Sequence, residues 1–217
     1  MADGLDWPAL GQAHRAAASL GAGRDQPDDG HLPKAFETDI RVRAHAYPIE
    51  GVKLEPTEIE QGLVFERNGV KVIAFEVDHG GEKLDAFGYR IEYDGRAAVL
   101  SGDTTSNENL IAHSEGLDVL VHEVAWGMGE GFEHKNLERI RRNHATAEEA
   151  GIVFSRTKPK LPVYTHLLLF GEATPEDFIL ATRPTYDGPL VVGHDLMQID
   201  IGEEIEVSTF EPGPYQN

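Results

Sequence analysis

This sequence has no cysteine in its 217 residues, so metal and acid–base chemistry must come from ten histidines and 38 carboxylates. Disulfides, Cys-ligated zinc, iron–sulfur clusters and thiol nucleophiles are excluded by the same observation. The informative positions are those where a strand pattern gives way to a loop. His79 follows the strand-like run 72–78 and precedes Gly80-Gly81, and Asp103 follows the run 97–101 within Ser-Gly-Asp-Thr. His122 lies in Val-His-Glu-Val, and His166 ends Val163-Tyr-Thr-His. Strand ends at one edge of a sheet can converge, and imidazole and carboxylate are ligands that zinc, manganese and iron accept. The two oxygens of one carboxylate can bridge two ions roughly 3.5–4 Å apart. Each residue also has an ordinary reading. An isolated histidine is more often a surface or hydrogen-bonded side chain, and Gly-Asp-Thr is also a turn or helix-cap sequence.

The elements that would position these groups fall into two blocks. Ile40, Val42 and Ala44 alternate with Asp39, Arg41 and Arg43, which predicts a half-buried strand from Thr38 onward. Runs 62–67 and 70–78 flank Asn68-Gly69, and runs 87–93 and 96–101 flank Asp94-Gly95, so two hairpins complete a β-meander. After Asp103 the pattern predicts a helix over 106–115, an apolar strand over 117–124 and a helix over 146–157 opened by the capping-box pair Thr146 and Glu149. A short buried strand over 161–166, a helix starting at Thr174-Pro175 and strands over 189–192 and 199–207 follow. Before all of these, a helix-like run over 7–20 passes into the breaker-rich loop 21–30. The expected organisation is a partial N-terminal segment and loop over 1–37, one α/β domain over 38–210 and a tail over 211–217. There is no internal repeat.

Nineteen basic against 38 acidic side chains leave a formal charge of −19, which argues against nonspecific binding to nucleic acid or an anionic membrane. No stretch approaches the ~18 apolar residues a spanning helix requires, and the start has neither a basic n-region nor an apolar core. The chain as written reads as soluble and cytoplasmic, with export left open because a leader could lie upstream of Met1. At 40% hydrophobic residues the composition is that of a globular protein.

Six segments, taken in order, carry a resemblance. They are Val77-Asp-His-Gly, Ala86-Phe-Gly-Tyr-Arg-Ile-Glu-Tyr, Leu100-Ser-Gly-Asp-Thr, Val119-Leu-Val-His-Glu-Val, His144-Ala-Thr-Ala-Glu-Glu-Ala and Val163-Tyr-Thr-His. Together, across about residues 40–207, they resemble the metallo-β-lactamase superfamily, in particular its ribonuclease Z and arylsulfatase-like branch, and Gly188-Pro-Leu-Val-Val-Gly-His-Asp-Leu-Met looks like the closing strand of these hydrolases. The resemblance implies an α/β fold, the C-terminal portion of the αββα sandwich. It implies two divalent metal ions, zinc with manganese or iron as alternatives. His79 would be a ligand of the first, Asp103 the bridging carboxylate and His166 a ligand of the second. His144 would be a non-ligand that protonates the leaving group, with Ala145 where a hydroxyl residue is commoner, and Glu123 would orient or charge-stabilise His144. A buried structural Glu123, or His122 paired with backbone, is an equal reading of Val-His-Glu-Val. His14, His31, His113 and His134 read as solvated surface residues, and His45 and His194 as strand-edge or loop positions.

The superfamily's His-x-His-x-Asp-His loop is absent from the sequence: no two histidines are one residue apart, and the one Asp-His pair is Asp78-His79. Two side-chain ligands would remain per ion, where a catalytic zinc has three plus water. The expectation is therefore a chain lacking the N-terminal half, inactive alone, or completed by another chain, and exposing apolar sheet surface. In an intact enzyme a metal-bound hydroxide would attack a phosphodiester, sulfate ester or other small ester. The charge favours a small-molecule ester over tRNA 3′ processing, and β-lactam hydrolysis is disfavoured because no active-site Cys or Lys is identifiable. A non-catalytic binding or interaction module derived from the fold is the competing class, and a homo-oligomer is compatible with either.

Overall fold

The computed structural model describes residues 34–52, 57–81, 85–128, 138 and 140–209. The chain divides into two compact units, Met1–Ile59 and Glu60–Asn217. The sequence segments 7–20 and 211–217 lie outside the described residues, as do His14, His31 and His134.

In the first unit, the residues expected to form a strand are a short helix, α1 (Glu37–Arg43), followed by a 3₁₀ turn, Ile49–Val52. Alternation selects a strand only where a neighbour accepts its backbone groups, and this unit offers none among the described residues. The same residues suit a helix. Glu37 and Asp39 occupy the first turn, Arg41 and Arg43 the last, and Arg43 Nε lies 2.8 Å from Asp39 Oδ2 four positions away.

The second unit is built on a seven-stranded mixed sheet of β1 (Gly62–Arg67), β2 (Val70–Val77), β3 (Ala86–Tyr93), β4 (Arg96–Leu100), β5 (Val119–Met128), β6 (Leu161–Gly171) and β7 (Val191–Val192), in sequence order across the sheet. The hairpin turns are as expected: Asn68 and Asp94 take φ of 51° and 47°, each followed by a glycine that is also left-handed. β2 is antiparallel to β3 and β3 to β4, so β2 and β4 point the same way; β5, β6 and β7 run parallel to β4. The carboxyl ends of β2, β4, β5 and β6 therefore share one edge of the sheet.

Helices α2 (Glu108–His113), α3 (Ala147–Thr157) and α4 (Pro175–Thr182) cover one face. Both Thr146 and Thr174 form capping boxes, with Glu149 and Asp177. The core beneath them holds Phe75, Val99, Leu120, Val124, Val153, Phe154, Tyr164 and Phe178, all fully buried. Gly88 is what lets Phe75 lie flat over β3, since a Cβ there would fall 2.5 Å from the Phe75 ring. His113, expected on a solvated surface, stacks on Phe75 with ring centroids 4.5 Å apart, because its position in the last turn of α2 turns it toward β2. Tyr93 and Leu100, on the face without helices, are exposed.

The run expected as a single strand over 199–207 is instead a separate hairpin, β8 (Met197–Ile201) with β9 (Ile205–Thr209), paired at Ile201↔Ile205. Gly202-Glu203-Glu204 interrupts the apolar alternation and makes the turn. Among the described residues no helix is long and apolar enough to cross a membrane.

Candidate metal centre

The shared strand edge brings together five of the side chains singled out above. His79 lies just past β2, Asp103 just past β4, Glu123 within β5, His144 in the loop leading into α3, and His166 within β6. Donor atoms of His79, Asp103 and His144 all lie within 4.8 Å of one another, as do those of Glu123, His144 and His166. His166 Nε2 is 3.5 Å from Asp103 Oδ2. His144 sits centrally, its ring 5.0 Å from that of His79 and stacked 5.7 Å from that of His166. The geometry thus places a donor atom of His144, which the resemblance made a non-ligand, beside those of His79, Asp103 and His166.

The local backbone is arranged around these groups. His79 Nδ1 lies 2.8 Å from the Asn143 carbonyl oxygen. A carbonyl only accepts, so Nδ1 carries the proton and the Nε2 lone pair is left free for a cation. Gly102 holds φ at +63°, and a Cβ there would meet the Phe87 carbonyl oxygen at 2.5 Å, so only glycine brings the chain through this turn to Asp103. His166 is the extra residue of a bulge: Glu123 pairs with Thr165 and Val124 with Leu167, leaving His166 unpaired at φ 44°. A non-glycine residue held left-handed inside a strand is strained, and here the strain aims an imidazole at the site. Replacing His166 with glycine is therefore expected to stabilise the metal-free chain by about 1 kcal/mol while weakening cation binding at least tenfold. Thermal melts and zinc titration of the two proteins check both halves of that statement.

Glu123 is almost completely buried at 1% exposure. Its Oε1 accepts from the Thr104 and Ala145 backbone N–H groups, each at 3.1 Å, and lies 3.2 Å from His144 Nδ1. One carboxylate oxygen thereby ties the loop bearing Asp103 to the loop bearing His144. Oε2 has no hydrogen-bond partner among the described residues. Burial, reinforced by the nearby Asp103 charge, pushes the Glu123 carboxyl up to about 8 against the two N–H bonds. Burial lowers the proton affinity of His144 as well, helped by His79 and His166 and opposed by Asp103.

His122 does not join this edge. Its position in β5 points it to the opposite face, where it is fully buried edge-on to Phe154 and its Nδ1 donates to the Glu123 carbonyl oxygen. Burial drops its pKa to about 4, so it is a neutral core residue. His194 is exposed. Two contributors escaped the sequence reading: the Asn143 carbonyl, for which a sequence carries no signal, and the Thr104 N–H, which Gly-Asp-Thr signals only as a generic turn.

A mixed sheet with helices on one face and imidazoles and carboxylates gathered at one strand edge defines a class, an α/β domain with a candidate metal site. The profile described as "Beta-lactamase superfamily domain" matches residues 26–167, and the chain belongs to that superfamily. Ribonuclease Z of Mycobacterium marinum (strain ATCC BAA-535 / M) is 30% identical over 172 residues, covering 77% of this chain and 61% of the relative. A putative ribonuclease Z of Mycobacterium tuberculosis (strain CDC 1551 / Oshkosh) is 28% identical, covering 77% of this chain and 76% of the relative. The chain spans about three-fifths of the length of the first of these. Among solved structures, the metallo-beta-lactamase fold protein YhfI from Bacillus subtilis superposes with a TM-score of 0.53 at 14% identity, covering 72% of this chain and 60% of that one. That likeness concerns the fold. The curated relatives are named for RNA, whereas the charge had favoured a small ester.

Proposed function

We propose that this chain carries the proton-transfer group and part of the cation-binding set of a metal-dependent phosphodiester hydrolase. The observation that supports this best is the convergence of His79, Asp103, His144 and His166 at one strand edge, with His79 Nε2 freed by the Asn143 carbonyl. The donor set fits zinc or manganese, and His79, Asp103 and His166 would hold the cations. When bound, divalent cations supply Lewis acidity and an activated water.

The chain's own groups do the rest. His144, exposed to 16% and braced by Glu123 Oε1, faces the site and holds a proton for the departing oxygen. As the water oxygen bonds to phosphorus and the phosphorus–oxygen ester bond breaks, that proton passes to the leaving alkoxide. An arriving phosphodiester monoanion adds negative charge beside His144 and raises its proton affinity against the burial that lowers it.

The names of the relatives bring RNA into this reading as the source of the phosphodiester, and the formal charge of −19 favours a short ester over a long polyanion on this chain. With no His-x-His-x-Asp-His in the sequence, the ligand set is sparse, so cation binding is weak and turnover by the chain alone is slow. The test is titration of the purified chain with Mn²⁺ or Zn²⁺ and then with inorganic phosphate. Phosphate should bind only to the metal-loaded protein, and Asp103→Ala should abolish both events. Phosphate binding that survives chelator or Asp103→Ala overturns the proposal.

A further inference from the structure

The loop that carries His144 also carries two arginines that hold nothing. Ile140 is buried, and its carbonyl oxygen accepts from the N–H groups of Asn143 and His144, which closes the chain into a tight turn over 140–144. Within that turn Arg141 and Arg142 are exposed. Arg90, Arg96, Arg156 and Arg183 are each tied to a carboxylate or a backbone carbonyl. Among the described residues, Arg141 and Arg142 have no hydrogen-bond or ion-pair partner.

Their place in the chain puts them beside the site. The Asn143 carbonyl oxygen lies 2.8 Å from His79 Nδ1, so the residue after Arg142 is fixed against one of the proposed cation ligands. Two residues of chain span at most about 7 Å and three about 11 Å, so the Cα atoms of Arg142 and Arg141 stand within those distances of the His144 Cα. An arginine side chain with no partner is long enough to cover that interval. The segments bearing His79, Asp103, His144 and His166 are 78–81, 101–107, 140–146 and 165–171, and among these described residues no other lysine or arginine occurs.

We propose that Arg141 and Arg142 form a subsite for a second phosphate group, carried by the substrate beside the scissile one. The inference rests on the hydrolase reading above. A guanidinium presents a planar fork of N–H donors that matches two phosphate oxygens, and it stays charged throughout the working pH range. In a chain of net charge −19, two unpaired guanidiniums on the rim give an incoming anion its local attraction. They also limit its size. Two forks serve one further phosphate, whereas a long polyanion would meet the acidic excess beyond them. The substrate class is a short phosphodiester with one neighbouring phosphate, of the dimensions of a dinucleotide.

The test is equilibrium binding of inorganic phosphate, adenosine 5′-monophosphate and adenosine 3′,5′-bisphosphate to the manganese-loaded full chain, the two nucleotides differing by one phosphate. At low ionic strength the bisphosphate should bind about tenfold tighter than the monophosphate, and roughly 0.5 M salt should remove most of that advantage. The double substitution Arg141→Gln with Arg142→Gln should bring the two nucleotides within about twofold of one another and leave the monophosphate within about twofold of its parent value. Lys158→Gln removes another exposed cation, ahead of the amino end of β6, and should leave the advantage intact. Three results overturn the subsite while sparing the hydrolase reading: equal binding of the two nucleotides to the parent chain, an advantage that survives the double substitution, or a loss that falls on both nucleotides alike. An advantage lost equally in Lys158→Gln reports net charge alone and overturns the subsite too. Failure of even inorganic phosphate to bind overturns both.

Discussion

Replacing Glu123 with alanine should leave the metal-free chain about 3 kcal/mol less stable than replacing it with glutamine. Both substitutions remove the ionisable group and its burial penalty, so the difference between them reports the hydrogen bonds together with the void that alanine leaves. Glutamine keeps a carbonyl oxygen where Oε1 now accepts from Thr104 and Ala145. Alanine orphans both buried N–H groups, at about 1–3 kcal/mol each, and opens a void in place of a side chain at 1% exposure. Because those N–H groups belong to the loops bearing Asp103 and His144, the alanine variant should also lose cation affinity that the glutamine variant retains. Urea denaturation at pH 7 and metal titration of the two variants measure both effects. Equal stability of the pair would show that Glu123 does not tie the loops.

Acidification should expose the second buried group. In the Glu123→Gln chain, stability should fall by about 2 kcal/mol between pH 7.5 and pH 5 on account of His122. The sign follows from its pKa, lowered by burial to about 4 in the folded chain from 6.5 in the unfolded one. Between those values the unfolded state binds the proton and the folded state does not, so stability is full above pH 6.5 and drains away toward pH 4. Glu123 has the opposite sign. Its folded pKa of about 8 stands above the unfolded 4.5, so its contribution is full below pH 4.5 and is lost as pH rises through 8. The Glu123 shift is the larger of the two and opposite in sign. The parent chain should therefore gain a little stability on acidification from pH 7.5 to pH 5 where Glu123→Gln loses it, and His122→Leu in the glutamine background should flatten the acid limb. Urea midpoints at four or five pH values are enough, and an acid limb unchanged by His122→Leu would contradict the assignment.

Much of this arrangement was legible in the sequence because its signals are local. Asn68-Gly69 and Asp94-Gly95 dictate hairpins, Thr146 with Glu149 dictates a helix start, and the strand-end positions of His79 and Asp103 follow from where apolar runs stop, whereas His166, expected to end its strand, lies inside β6. What failed was equally physical. The alternation over 38–44 looked like a strand because three apolar residues cannot distinguish a period of two from a helix whose Asp39 and Arg43 pair. The run 161–166 continues as β6 to Gly171 because Val124–Met128 of β5 offers it a partner, which only the tertiary pairing reveals. His113 and His122 were indistinguishable from other histidines by sequence, since what separates them is Phe75 beneath one and Phe154 beside the other. The bulge at His166 belongs to the same class: a one-residue register shift leaves no compositional mark, yet it turns this imidazole toward Asp103.

Crystals of the chain soaked in zinc and measured at the zinc absorption edge test the central claim most directly. The account predicts an anomalous peak at the shared strand edge, coordinated by an Asp103 oxygen and by Nε2 of His79 or His166 at about 2.0–2.2 Å, with His144 left unligated. Saturating zinc with no peak there, or with a peak elsewhere while these side chains point apart, would contradict it.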